Sequence, residues 1–126
     1  MDNITKNEKS LFKQYTKQSF SGKKLDTVIY DYVDQYGRLV FQVVREQYEN
    51  GKTFYQRRPD GKGGWINDLK GVRTVPYRLP EVIKAVSQGK TVFIVEGEKD
   101  VETLRSLQLT ATTNPMGAGK WKTTYS

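Results

Sequence analysis

The chain contains no cysteine and no histidine. These two absences exclude thiol nucleophiles, disulfide bonds, the usual zinc sites and acid–base catalysis by imidazole. Any metal ion would therefore be held by oxygen ligands. No stretch approaches the roughly eighteen consecutive apolar residues of a membrane span, and the N-terminus lacks an apolar core of signal-peptide length. We therefore expect a soluble, cytoplasmic protein that makes no membrane contact.

Acidic residues are outnumbered by basic ones. The 126 residues include 21 Lys and Arg against 14 Asp and Glu, which gives a net charge of +7. A chain of this length holds one domain, or one small domain and part of a second. The excess of positive charge favours a polyanionic partner but does not identify it.

The first 26 residues are polar and basic and form the first predicted region. Their few apolar residues have a spacing that is compatible with a short amphipathic helix: Ile4, Leu11, Phe12 and Tyr15. The alternative is a polar arm that becomes ordered only on contact with a partner, because such a segment buries little surface.

Residues 27–78 predict an antiparallel β meander. Runs rich in β-branched and aromatic residues alternate with turn sequences, and the strands are expected at residues 27–33, 38–45 and 52–58. A glycine-rich loop follows at residues 59–64. Residues 64–71 are less regular and predict either a short fourth strand or a turn.

Basic residues alternate with aromatic ones along this β region. Such a face stacks bases and follows phosphates in proteins that bind single strands. The alternative is that the aromatic residues form the core while the cations lie on the solvated side. Arg57, Arg58 and Lys62 lie around the glycine-rich loop, and we select them as candidate nucleic-acid contacts.

Residues 79–126 predict a β-α-β unit with parallel strands, preceded by a helix. Pro80 suits the first turn of that helix and Gly89 suits its C-terminal cap. Periodicity then predicts a buried strand, a helix and a second strand, at residues 91–95, 98–107 and 109–113. With the meander, these elements predict an α+β fold.

Glu96 and Gly97 lie where the first of these strands meets the following helix. In open α/β sheets, ligands bind beyond the carboxyl ends of the strands, so a carboxylate at this turn is a functional candidate. The alternative is that Glu96 only caps or solvates the start of the helix.

Gly117-Ala-Gly-Lys120 is similar to part of a phosphate-binding P-loop but departs from its motif twice. The motif requires glycine at position 114 and serine or threonine at position 121, where this chain has Asn114 and Trp121. This excludes a P-loop NTPase. A weaker prediction remains, that backbone amides and Lys120 bind a phosphate; the alternative is a glycine turn.

Two motifs in order resemble the opening of a TOPRIM domain from primases and primase-helicases of bacteriophages and mobile elements: Val92-Phe-Ile-Val-Glu-Gly-Glu-Lys-Asp100 and Ala111-Thr-Thr-Asn-Pro-Met-Gly-Ala-Gly-Lys-Trp121. Residues 56–65 and 77–80 resemble the segment that precedes TOPRIM in those proteins. The resemblance implies the TOPRIM fold, a role in DNA replication and primer synthesis, and Mg²⁺-dependent phosphoryl transfer on nucleic acid. It also implies that Glu96 is the catalytic acid and a metal ligand.

The chain departs from the family pattern in two ways. The second acidic motif of TOPRIM proteins, Asp-x-Asp, does not follow Thr113, and the cysteine-based zinc module is missing. We therefore expect a fragment or truncated relative that is not catalytically competent alone and binds Mg²⁺ only if the missing acids are supplied. Its expected contacts with single-stranded nucleic acid are Arg57, Arg58, Lys62 and Lys120.

A second hypothesis is a small phage or mobile-element accessory or inhibitor protein. Such a protein would use the TOPRIM-derived scaffold to bind a host or defence protein. An incomplete fold of this kind also leaves a strand unpaired, and homodimerisation through the exposed sheet edge is a further alternative.

Overall fold

A computed structural model describes residues 22–115, and these residues form a four-stranded sheet, a two-stranded sheet and two helices. The elements in chain order are β1 (Lys24–Val33), β2 (Leu39–Tyr48), β3 (Gly51–Pro59), β4 (Trp65–Ile66), α1 (Leu79–Ser87), β5 (Val92–Ile94), α2 (Glu98–Ser106) and β6 (Thr110–Thr112). Strands β1 to β4 are neighbours in sequence order, and β5 pairs with β6 in parallel. The predicted α+β architecture, a meander followed by a parallel β-α-β unit, is confirmed.

Two predictions lie outside the described residues. These are the N-terminal helix, predicted within residues 1–21, and the glycine loop that ends at Lys120. Strand β1 begins at Lys24, slightly before the predicted start at Thr27. The short fourth strand, one of two alternatives for residues 64–71, is present as β4.

The chain divides into two compact units that do not follow the element boundaries. Within the described residues, one unit contains residues 22–29 together with Val44–Tyr55, and the other contains Tyr30–Val43 and residues 56–115. Polar contacts join the strands of the first unit, including the backbone bond from the Glu49 N–H to the Lys23 carbonyl at 3.1 Å. The division of the chain at residues 26 and 78 stays a prediction.

The core of the second unit lies against one face of β1 and β2. Tyr32 and Phe41 are fully buried and stacked, with ring centroids 4.6 Å apart. The Tyr77 ring lies 5.1 Å from the Tyr32 ring at a tilt of 45°. The remaining buried apolar side chains of this unit are Tyr30, Val43, Val75, Ala85, Val101 and Ala111.

Both predicted helices are present, and their ends follow the sequence signals. Pro80 lies in the first turn of α1, and Gly89, with φ of 69°, follows its end. Helix α2 carries acids in its first turn and Arg105 in its last, as the helix dipole favours. Within the described residues, neither helix is long and apolar enough to cross a membrane.

Strand β5 differs from its prediction as a buried strand. The Phe93 side chain is 42% exposed and the Ile94 side chain is 49% exposed, although they point to opposite faces of the sheet. The β-branched run predicts the extended conformation correctly, but burial depends on neighbouring elements. Among residues 22–115, β6 is the strand that pairs with β5.

Candidate functional site

A row of four side chains crosses one face of the four-stranded sheet, one from each strand. The Gln42 amide Nε2 donates a hydrogen bond to Asp31 Oδ1 at 2.6 Å. Arg57 Nε donates to Gln42 Oε1 at 2.8 Å, and the Arg57 Cζ atom lies 4.3 Å from the centre of the Trp65 ring. A chain of contacts therefore runs from a β1 carboxylate to a β4 indole, and we call these four residues the outer-face row.

The pleat of the strands puts this row on the side opposite the core. Side chains alternate between the two faces, so Asp31 points away from Tyr30 and Tyr32, and Gln42 points away from Phe41 and Val43. The β3–β4 register pairs Pro59 with Trp65, which brings Trp65 to the face that also carries Arg57. The row is therefore a polar and aromatic layer backed by the apolar core, in which Asp31 and Trp65 are exposed and Gln42 is buried.

Arg58 points to the opposite face of β3 from Arg57. Its register partner is Ile66, and its Nε atom donates to Asp68 Oδ1 at 2.9 Å. Two donors, the Lys70 backbone N–H and then the Arg58 guanidinium, lower the pKa of Asp68 below its usual value. The two adjacent arginines therefore have different surroundings, and only Arg57 lies beside Trp65.

Lys62 lies at the tip of the loop that joins β3 to β4. Asp60 Oδ1 accepts the backbone N–H groups of Lys62 at 2.6 Å and Gly64 at 2.9 Å. These two bonds lower the pKa of Asp60. The loop is thus fixed by a backbone-to-carboxylate turn, while the Lys62 residue itself is exposed.

The β3–β4 hairpin and the residues after it are strongly basic. Between positions 57 and 73 the chain carries five cationic side chains and two carboxylates, Asp60 and Asp68. Three of the cations belong to exposed residues, namely Lys62, Lys70 and Arg73. The Trp65 side chain is 38% exposed although Arg57 covers one face of its ring, so part of this large aromatic side chain is accessible within a basic region.

Glu96 lies elsewhere, in a cleft beside α2. The cleft has a volume of about 410 Å³ and is lined by Ile94, Val95, Glu96, Asp100, Thr103 and Leu104. Glu96 and Asp100 are both exposed. Residues 22–115 contain no group of three or more carboxylates able to hold a metal ion together. The described donors therefore do not fit a two-metal centre.

A different glutamate of the same motif is buried. Glu98, in the first turn of α2, is 6% exposed, and its Oε2 accepts the Tyr32 hydroxyl at 2.7 Å. Burial raises the pKa of the Glu98 carboxyl, and the Tyr32 bond opposes that rise. The sequence contains a signal for this position, because Glu98 precedes the buried Val101 by three residues and shares its helix face.

One turn further along α2, Glu102 is the centre of a polar network. Its Oε2 accepts the Tyr77 hydroxyl at 2.6 Å, and its Oε1 accepts Arg105 Nη1 at 2.9 Å. Arg105 Nε also donates to Glu81 Oε1 at 3.0 Å, which joins α2 to α1. Burial raises the pKa of Glu102, but the Tyr77 bond and the nearby Arg78 and Arg105 outweigh it, so the net pKa is lowered.

The structure brings together only part of the site that the sequence predicts. Arg57 lies on the outer face, Arg58 lies on the other face of β3, and Lys62 lies on the loop between them and β4. The cleft that Glu96 lines includes none of these cations among its lining residues, and Lys120 lies outside the described residues. The sequence pattern includes Trp65 only among the aromatic residues of the basic β region and does not single out Gln42 or Asp31; strand alternation, with the β3–β4 register for Trp65, is the signal that places them on the face of Arg57.

We compared the chain with models of known protein families, with curated proteins and with solved structures, and none of the three comparisons gave a match.

Proposed function

We propose that the chain binds single-stranded nucleic acid on the outer face of its four-stranded sheet, as a fragment or truncated relative of a primase-type TOPRIM protein. The observation that carries the proposal is the Arg57 guanidinium held over the half-exposed Trp65 ring. The bond to Gln42 uses Arg57 Nε alone, which leaves the Nη groups to meet a phosphate. The parallel β5-α2-β6 unit, with Glu96 after its first strand, supports the TOPRIM part of the proposal.

This arrangement suits a single strand because it offers both contacts that such a ligand needs. An accessible indole stacks on a base whatever its identity, and each such stack is worth about 1–3 kcal/mol. Arg57 and the exposed Lys62, Lys70 and Arg73 meet phosphates, and each neutralised phosphate adds about 0.7 to the slope of affinity against salt. We therefore expect weak base specificity and strong salt dependence.

The first test is fluorescence anisotropy with labelled single-stranded DNA and RNA of about 12 nucleotides, across a salt series. Trp65→Ala should weaken binding by about fivefold to a hundredfold without changing the salt slope. Arg57→Ala should weaken binding and also reduce the slope by about 0.7. Lys99→Ala removes one positive charge from the exposed surface of α2 and is the matched control, with affinity close to that of the wild type.

Two results would contradict nucleic-acid binding by these residues, and a third would contradict its location. One is an affinity that does not change with salt, and the other is an affinity that is unchanged in the Arg57→Ala/Arg58→Ala double variant. The single variant Arg58→Ala distinguishes binding on one face of β3 from binding on the other. The Arg58 guanidinium binds Asp68 and faces away from Trp65. If Arg58→Ala weakens binding more than Arg57→Ala, the ligand lies on the other face.

The proposal includes no catalysis by this chain alone. Glu96 would be the remnant of a TOPRIM acid and would bind Mg²⁺ only with further carboxylates supplied in addition to Asp100. Primer synthesis and Mg²⁺-dependent cleavage should therefore both be undetectable for the chain by itself. Activity that disappears in Glu96→Gln would instead show that the chain is an enzyme.

A further inference from the structure

Strand β5 has backbone hydrogen-bonding groups on two sides, and β6 pairs with one of these sides. The Val95 N–H donates to the Thr112 carbonyl of β6 at 3.0 Å. Backbone groups alternate in direction along a strand, so those of Phe93 also point toward β6, while those of Val92 and Ile94 point the other way. Among residues 22–115, no strand pairs with that second side of β5.

The edge of β5 is short, but it carries no proline and no charged side chain within the strand. Edge strands are commonly blocked by proline, by a bulge or by charges within the strand. Strand β5 is Val92-Phe93-Ile94, and Phe93 and Ile94 are about half exposed on its two faces. Such an edge is a ready site for another strand.

The charges around β5 are arranged symmetrically about Phe93. Lys90 lies three residues before Phe93 and Glu96 lies three residues after it, and both are exposed. If a second copy of the strand runs antiparallel with Phe93 opposite Phe93, the Lys90 just before each strand comes to the same end as the Glu96 just after the other copy's strand. In the same register, each Val92 lies opposite an Ile94.

The backbone directions agree with this register. Val92 and Ile94 carry the outward N–H and C=O groups, and directly opposed residues of that kind exchange both of their hydrogen bonds. Phe93 is then the non-bonded pair at the centre, where opposed Cα atoms lie about 4.5 Å apart and the side chains are closest. The backbone and the apolar side chains of β5 are thus self-complementary in one register, and the charges that flank the strand are of opposite sign.

We infer that β5 is a homodimer interface, in which two copies of the chain pair antiparallel about a two-fold axis at Phe93. A two-fold interface must be self-complementary, because each copy contributes the same surface to it. A second copy is the occupant that the charges favour, since it supplies a lysine and a glutamate in the required order. The inference is independent of nucleic-acid binding, which uses the β3–β4 hairpin.

Disulfide trapping tests the register directly, because the chain has no native cysteine. Phe93→Cys places the only thiol on the two-fold axis, at a Cα separation that a disulfide spans. Leu109→Cys is the matched control, since Leu109 is 41% exposed and Phe93 is 42% exposed. Under mild oxidation, Phe93→Cys should give covalent dimer at least tenfold faster than Leu109→Cys at the same protein concentration. Equal rates for the two variants would overturn the inference.

Charge reversal tests the two symmetric ion pairs in the protein without cysteine. Lys90→Glu and Glu96→Lys should each weaken the dimer by about tenfold in sedimentation equilibrium, because like charges then lie opposite each other in both pairs. The double variant Lys90→Glu/Glu96→Lys should restore the wild-type dissociation constant. A wild-type chain that is monomeric at every concentration contradicts the inference, whether the edge is covered by another part of the chain or bound by a different protein. A double variant as weak as the single ones contradicts it as well.

Discussion

Two tyrosine hydroxyls donate hydrogen bonds to two glutamates that lie one turn apart on α2. Tyr32 bonds to the buried Glu98 and Tyr77 bonds to the part-buried Glu102. The two tyrosine rings also contact each other, with centroids 5.1 Å apart. A carboxylate that is removed from water needs hydrogen-bond donors, and each hydroxyl supplies one. These bonds therefore stabilise the packing of α2 on the core of its unit.

Removal of the Tyr32 hydroxyl should show how much its bond contributes. Tyr32→Phe keeps the ring stacked on Phe41 but leaves the buried Glu98 carboxyl without this donor, which should cost about 1–3 kcal/mol in the free energy of unfolding. Urea denaturation measures this loss. Tyr36→Phe removes a hydroxyl from a side chain that is 71% exposed, and this control should stay within about 0.5 kcal/mol of the wild type.

The pH dependence of stability should show the raised pKa of Glu98. A carboxyl whose pKa is higher in the folded state binds its proton more tightly there, so its contribution is complete below the unfolded pKa and is lost as the pH rises through the folded pKa. Unfolding free energy measured from pH 4 to pH 8 should therefore contain a declining component above about pH 4.3.

Glu98→Gln should abolish that component, because the amide stays neutral and its oxygen still accepts the Tyr32 hydroxyl. Glu102 acts in the opposite direction, since its lowered pKa gives stability that is lost as the pH falls through the folded pKa. The Glu98 component is therefore read from the difference between wild type and Glu98→Gln. Parallel pH profiles for the two proteins would show that Glu98 does not titrate between pH 4 and pH 8.

At the scale of elements, the two helices differ in the residue that adopts the left-handed conformation after each C-terminus. Gly89 provides the positive φ after α1, whereas Gln108 adopts a φ of 64° after α2. A left-handed conformation costs an ordinary residue about 1–2 kcal/mol, and glycine avoids that cost. At the end of α2, glycine should therefore be more stable than the native Gln108.

Gln108→Gly should raise the free energy of unfolding by up to about 1 kcal/mol, because the lost strain exceeds the added freedom of glycine in the unfolded chain. Thermal denaturation measures the change. Gln88→Gly is the matched control, since Gln88 is an exposed residue at the end of α1 with a φ of −96°. It has no strain to relieve, so that variant should lose about 0.5–1 kcal/mol.

The elements themselves could be predicted well, because their signals are local. Pro80 and Gly89 bound α1, and the turn at residues 34–37 separates β1 from β2 where the sequence predicts it. Strand β5 was predicted as a strand but wrongly as a buried one. Burial depends on which elements cover a strand, and the sequence around Phe93 and Ile94 contains no information about those neighbours.

At the scale of the whole molecule, the fold class was easier to predict than the site. Alternation and helical periodicity predicted the meander and the parallel unit. The candidate site combines residues far apart in sequence, such as Gln42 and Arg57, and it separates the adjacent Arg57 and Arg58. Strand parity predicts that separation, but the contact between Arg57 and Trp65 also depends on the β3–β4 register. Glu98 is the first residue of α2 and shares a helix face with the buried Val101, so its side chain is buried. Glu96 precedes the helix and is exposed.

Tyr77 bonds to the end of β6 on the side away from β5. The Tyr77 N–H donates to the Thr113 carbonyl at 2.9 Å, and the Thr112 hydroxyl donates to the Tyr77 carbonyl at 2.7 Å. Among residues 22–115, the Tyr77 segment therefore lies beside β6, while no strand pairs with the second side of β5. A strand that added to β6 would have to displace Tyr77, so we expect growth of the sheet through β5 to stop at two copies, which gives a closed dimer and not a filament.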